Sequence, residues 1–140
     1  MTIYIFDEFY YFHGTDAAES ILKYGFSLNV PQKHDTFDTT WKRYMLGRGI
    51  YFTTSLRKAK KFGRQVLRCK IGKIRVLYTN REFRDKFDEN KYDAIYCPGK
   101  FSRIKNNTID YTYDETALLS NDELMIKNPS LITEVLLFST

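Results

Sequence analysis

The apolar residues of this chain come in runs too short for long helices. Residues 3–12, 49–53, 66–71, 74–78, 93–97 and 131–138 are rich in Tyr, Phe, Ile and Val, and Gly, Pro, Asn or Asp bound most of them. Such runs read as strands. Asp7-Glu8 breaks the first run, Gly72-Lys73 between two runs predicts a hairpin, and Asn128-Pro129 predicts a turn. Residues 108–113 and 123–127 read as further strands. Helical period is confined to a few places. Asp16 and Glu19 have capping-box spacing, Ala18, Ile21 and Leu22 share one face, and Gly25 suits a helix stop. Ser55 suits the cap of a second helix reaching Lys61 or Phe62 and closed by Gly63. Asn80 suits the cap of a third, with Phe83 and Phe87 four apart. The pattern predicts an α+β fold whose antiparallel β core is split into two small sheets, with a few short helices.

With 140 residues, 43% apolar and 16% aromatic, the chain is sized for one domain over 1–140 with a real core, which excludes wholesale disorder. The net charge of +5 predicts a basic face and admits a polyanionic partner without demanding one. Cys69 and Cys97 lie in apolar runs without C-x-x-C spacing or neighbouring His, so buried free thiols are expected and a structural zinc site is not. One disulfide between them stays open, although a reducing compartment suits free thiols. The N-terminus has no signal-peptide pattern, and no run approaches the ~20 apolar residues of a membrane span. A soluble intracellular protein, cytoplasmic or nuclear, is the expectation.

Residues 27–48 show no period, and connections of about 20 residues are usually functional or disordered. Three segments flank or follow this stretch. Phe12-His13-Gly14-Thr15 precedes a helix and Tyr24-Gly25-Phe26; Gly47-Arg48-Gly49-Ile50-Tyr51-Phe52 precedes a helix carrying Phe62; Asp122-Glu123-Leu124-Met125-Ile126 precedes Asn128-Pro129. In this order they resemble the catalytic domain of the poly(ADP-ribose) polymerase family, the diphtheria-toxin-like ADP-ribosyltransferases with a His-Tyr-Glu signature. The resemblance spans residues 10–138, and its third segment is less specific than the first two.

The resemblance implies the ADP-ribosyltransferase version of the split β core, with NAD as co-substrate and no metal. It implies catalytic roles for His13, Tyr51 and Glu123, and donor binding by His13, Gly14, Thr15, Tyr51, Phe62 and Tyr44. His13 would bond a ribose hydroxyl of the adenosine part. The Gly14 backbone would hold the nicotinamide amide, where a missing side chain permits close approach. Tyr51 and Phe62 would flank the nicotinamide ring. A carboxylate at Glu123 would stabilise oxocarbenium character on the ribose and hold its 2′-hydroxyl. The plainer readings are a buried structural His, core aromatics and an ordinary strand-start acid; Asp122 and Glu115 are rival carboxylates. Family members commonly have Tyr at position 62 and Ser at position 59. Here Phe62 and Ala59 stand there, so one amide contact is lost and Ser55 is badly spaced to replace it.

His34, Trp41 and Tyr44 fall where the family has its donor loop, and the Arg57–Lys61 cations read as a solvated helix face. Arginine-directed, cholera-toxin-like transferases need a Glu-x-Glu turn that this chain lacks. A Rossmann fingerprint follows a strand, whereas Gly47-Arg48-Gly49 precedes one. The expected activity is transfer of ADP-ribose from NAD to an acceptor with release of nicotinamide, as single units on protein. Poly- or oligo(ADP-ribose) synthesis, nucleic-acid acceptors, a non-catalytic NAD or ADP-ribose-binding module and a small basic nucleic-acid-binding protein are the alternatives.

Overall fold

The computed structural model describes residues 2–27, 46, 48–79, 87–99, 102–110 and 122–139. The chain is α+β, with many short strands and few helices. Strands β1 (Thr2–Phe6), β5 (Ile74–Tyr78), β6 (Ala94–Cys97), β9 (Glu123–Ile126) and β3 (Ile50–Phe52) form one sheet in the order β1-β5-β6-β9-β3. Strands β10 (Ile132–Ser139), β4 (Gln65–Ile71) and β2 (Phe9–Thr15) form a second sheet in that order. A separate hairpin joins β7 (Arg103–Lys105) to β8 (Thr108–Asp110). Among the described residues all pairings are antiparallel except β5 with β6.

Two tight connections switch the chain between the sheets. The break at Asp7-Glu8 sends β1 to the five-stranded sheet and β2 to the three-stranded one. Gly72-Lys73 does the same for β4 and β5, which corrects the predicted hairpin: both strands form, but they pair with others. The physical reason is partnership. β4 already lies between β2 and β10, so its hydrogen-bonding edges are filled, and Gly72 N–H donates to Leu131 C=O at 2.9 Å.

The five-stranded sheet is apolar on both faces, which explains why β6 and β9 are continuously buried. One face (Val76, Ala94, Tyr96, Leu124, Ile126) joins Leu67, Cys69 and Ile71 of the other sheet in the main core. The other (Leu77, Ile95, Met125) packs with Leu46 and Tyr92. Much of the Tyr and Phe content serves this burial, as where Phe6 meets the Tyr96 ring edge-on at 5.6 Å.

Helix α1 (Ala18–Tyr24) buries Ala18 and packs Ile21 on the core, while Leu22 stays exposed. It ends at Gly25, φ +83°. The expected capping box does not form. Ala17 N–H donates to Thr15 Oγ1 at 2.9 Å, and the Asp16 carboxylate instead accepts from Arg64 N–H at 2.8 Å. Helix α2 (Leu56–Lys60) is capped by Ser55, whose hydroxyl accepts from Lys58 N–H at 3.1 Å. Both cysteines are buried, and neither is in a disulfide. The helix expected after Asn80, residues 111–113 of an expected strand and the unpatterned stretch over 28–45 lie outside the described residues. Among the described residues no helix is long and apolar enough to cross a membrane.

Candidate functional site

Among the described residues one isolated β-bridge links the two sheets. Phe12 on β2 and Thr53, just after β3, exchange backbone hydrogen bonds of 2.7 and 3.0 Å. Beside this bridge lies a cavity of about 150 Å³ whose lining includes His13, Gly14, Tyr51, Phe62 and Glu123. Thr15 lines it as well, so among the described residues the structure gathers every donor-binding position singled out in the sequence. Tyr44, His34, Trp41 and Glu115 lie outside the described residues.

Strand register explains the convergence. Tyr51 pairs with Met125, and Glu123 sits two residues from Met125, so the Tyr51 and Glu123 side chains share one sheet face. His13 arrives from the other sheet, and its Nδ1 is 2.7 Å from the Tyr51 carbonyl. A carbonyl only accepts, so Nδ1 carries a proton, and the neutral form of the ring has Nε2 as its acceptor. Phe26 lies edge-on to the imidazole at 4.9 Å and Phe52 tilts against it at 5.5 Å, fixing its plane. The Tyr51 hydroxyl accepts from Leu46 N–H at 3.0 Å.

Gly14 has two constraints on it. A Cβ there would stand 1.7 Å from the Ala59 carbonyl oxygen, so the seating of α2 on β2 itself requires glycine. The absent side chain therefore faces α2 rather than opening a path for a ligand, a correction to the reason expected from the sequence. The backbone is a different matter. Phe12 directs its N–H and C=O away from β4 to Thr53, and the β2–β4 register runs without a break. By alternation, Gly14 also turns its N–H and C=O away from β4, on the edge that borders the cavity. Gly49 is crowded too, since a Cβ would fall 2.2 Å from Met125 Sδ and 2.8 Å from the Ile126 carbonyl oxygen.

The adjacent carboxylates have different surroundings. Asp122 is wholly buried and accepts four hydrogen bonds: Thr53 Oγ1 (2.7 Å) and Thr54 N–H (2.8 Å) on Oδ1, Thr54 Oγ1 (2.7 Å) and Tyr96 Oη (2.8 Å) on Oδ2. Burial first, and the Asp122 charge second, hold the Tyr96 hydroxyl protonated well above the ordinary phenol range. Asp122 is a clamp between β9, β6 and the end of β3. Glu123 instead lines the cavity, with Oε1 3.0 Å from Lys58 Nζ and the buried Oε2 without a hydrogen-bond partner.

Lys58 is the residue that sequence reasoning missed, because it was grouped with the solvated cations of α2. The expected helix through Phe62 held a signal, since Lys58 and Phe62 are one helical turn apart in sequence; the helix itself ends at Lys60, and Phe62 follows it with its N–H on the Ala59 carbonyl at 3.0 Å. Ser55 is fully buried, with its hydroxyl accepting at the α2 N-terminus, and does not stand in for a residue-59 hydroxyl. Ala59, also fully buried, lines the cavity. Among the described residues no three His, Cys, Asp or Glu side chains form a metal-binding group.

No protein-family model matches the chain, and no curated protein matches it.

Proposed function

We propose that the chain is an NAD-dependent ADP-ribosyltransferase with the ADP-ribosyltransferase fold, transferring single ADP-ribose units from NAD to an acceptor and releasing nicotinamide. The observation that carries this reading is the convergence of His13, Tyr51 and Glu123, from three strands and two sheets, on one cavity. The fit to the substrate rests on three features. A volume on the order of 150 Å³ suits a single aromatic ring. The outward N–H and C=O of Gly14 match the acceptor and donor of a carboxamide. The buried, unpartnered Glu123 Oε2 is an acceptor suited to a sugar hydroxyl.

In this reading Gly14 orients the amide while Tyr51 and Phe62 supply ring surface. His13 Nε2 accepts from a ribose hydroxyl of the adenosine part, its tautomer fixed through Tyr51 C=O. Glu123 accepts from the nicotinamide ribose 2′-hydroxyl and opposes the positive charge that develops at the anomeric carbon. The glycosidic C–N bond breaks with its electron pair passing to the pyridinium nitrogen, and the acceptor nucleophile forms the new bond to that carbon. The acceptor's proton passes to Glu123 or to water. Lys58 holds one Glu123 oxygen and so orients the other.

The test is incubation with labelled NAD of wild type beside Glu123→Gln, resolved on a denaturing gel with nicotinamide release measured in parallel. Discrete labelled bands and release in wild type, both lost in the variant, are expected. A variant-sensitive ladder would make it a polymerase. NAD binding by calorimetry without nicotinamide release would make it a binding module, and neither binding nor release would refute the reading.

A further inference from the structure

A second surface adjoins this cavity and has no part in the chemistry above. In the three-stranded sheet Tyr10 faces Lys70 and Phe12 faces Arg68 across β2 and β4, while Leu136 faces Arg68 from β10. These side chains share the outer face of the sheet. Phe138, about half exposed, comes to the same face, its ring 4.9 Å from that of Phe12. Arg68 is exposed and lies over the Tyr10 ring at 4.1 Å. Tyr10, Phe12, Phe138 and Arg68 line a cleft of about 220 Å³, and Phe12 belongs to the wall of both cavities.

Charge gives the face a direction. Lys70 is 3.4 Å from Glu8 and pairs in register with Glu134, so that end is neutralised. The other end abuts α2, whose Ala59 covers Gly14 on the same face as Phe12. Residues 55–70 hold seven Lys or Arg and no acid. Lys58, Arg64 and Lys70 have acidic partners, Glu123, Asp16 and Glu8. Arg57, Lys60, Lys61 and Arg68 are exposed and, among the described residues, have no ion pair.

We propose that this face binds single-stranded nucleic acid, bases stacking in the Tyr10–Phe12–Phe138 cleft with Arg68 and phosphates running along the cations of α2. Aromatic rings beside a basic track are the combination that recognises unpaired bases on a phosphate backbone. A folded duplex has no free base to offer the cleft, and an acidic peptide has no planar ring at each charge. Since Phe12 lies in both walls, a strand on this face passes beside the Glu123 cavity. On the transferase reading above, that strand is the acceptor.

The experiment is fluorescence anisotropy with a labelled strand of about 12 nucleotides, DNA and RNA in separate arms, without NAD. With three or four phosphate contacts, affinity falls about 20- to 50-fold between about 50 and 200 mM salt. Lys60→Glu with Lys61→Glu removes two contacts and lowers the salt slope by about 1.4. Phe138→Ala and Arg68→Ala, both at exposed positions and checked by thermal melting, each weaken the strand about 5-fold or more. Equal affinity for duplex, competition by a polyglutamate peptide as strong as by unlabelled strand, or indifference to Phe138→Ala would overturn the proposal. So would the absence of binding at about 50 mM salt. The acceptor role is read by adding labelled NAD to the same mixtures. Label on the strand, lost in Phe138→Ala while NAD cleavage persists, is expected. Label on protein alone would overturn the acceptor role and leave the transferase reading standing. No NAD cleavage in wild type would remove the transferase reading, and the anisotropy alone would then decide the platform.

Discussion

Asp122→Ala should unfold the protein at a much lower temperature, whereas Glu123→Gln, one residue on, should be clearly less destabilising. The four hydrogen bonds to the Asp122 carboxylate lie at 2.7–2.8 Å and the residue is 0% exposed. Bonds to a charged acceptor contribute about 1.5 kcal/mol each at the low end, a sum of about 6 kcal/mol. The cost of burying the carboxylate, several kcal/mol, offsets part of that. Truncation, however, leaves the Thr54 N–H and the Thr53, Thr54 and Tyr96 hydroxyls around a dry gap. Removing one side of such a network costs about 3–5 kcal/mol. For a chain of this length that is a fall in Tm of about 10–20 °C. Glu123→Gln weakens one buried ion pair but keeps an amide oxygen within reach of Lys58 Nζ, and should cost about 1.5–3 kcal/mol. Thermal melting and urea titration measure both. The reasoning is refuted if Asp122→Ala melts within a few degrees of wild type, or if Glu123→Gln is equally destabilised.

Gly14→Ala forces a Cβ to 1.7 Å from the Ala59 carbonyl oxygen, so α2 must shift, at a cost of about 3 kcal/mol or more in urea titration. Ala59→Ser offers a hydroxyl at the cavity wall and should lower KM for NAD about 5-fold, the effect of one hydrogen bond, with kcat little changed in a nicotinamide-release assay. Burial pushes the Cys69 thiol up to about 12. Its contribution to stability is full below the unfolded thiol value of about 8.5 and is lost as pH rises from there. Cys69→Val should blunt that alkaline loss, and native Cys69 should resist a thiol reagent at about pH 8 until denaturant is added. The Arg75 guanidinium holds Asp93 below the usual carboxylate range, through contacts of 2.9 and 3.2 Å. That contribution is present above about pH 3.9 and lost as pH falls further, so Asp93→Asn should flatten the acid limb of a pH–stability curve.

The sequence by itself determined the elements that local chemistry controls. Runs of Tyr, Phe, Ile and Val became strands, Ser55 capped α2, Gly25 ended α1 at positive φ, and Asp7-Glu8 broke the first run. It also singled out His13, Tyr51 and Glu123 as residues that tertiary structure brings to one cavity. Partnership was not legible. Gly72-Lys73 looks like a hairpin turn until β4 is seen between β2 and β10. Asp16 looks like a cap until Arg64 N–H, 48 residues away, takes its carboxylate. Asp122 and Glu123 are both strand-start acids in sequence. Register and burial alone make one a clamp with four donors and give the other an unpartnered oxygen beside a lysine. A propensity is a property of a few neighbouring residues, whereas the energy of a buried polar group depends on which distant groups reach it, and only the folded chain decides that.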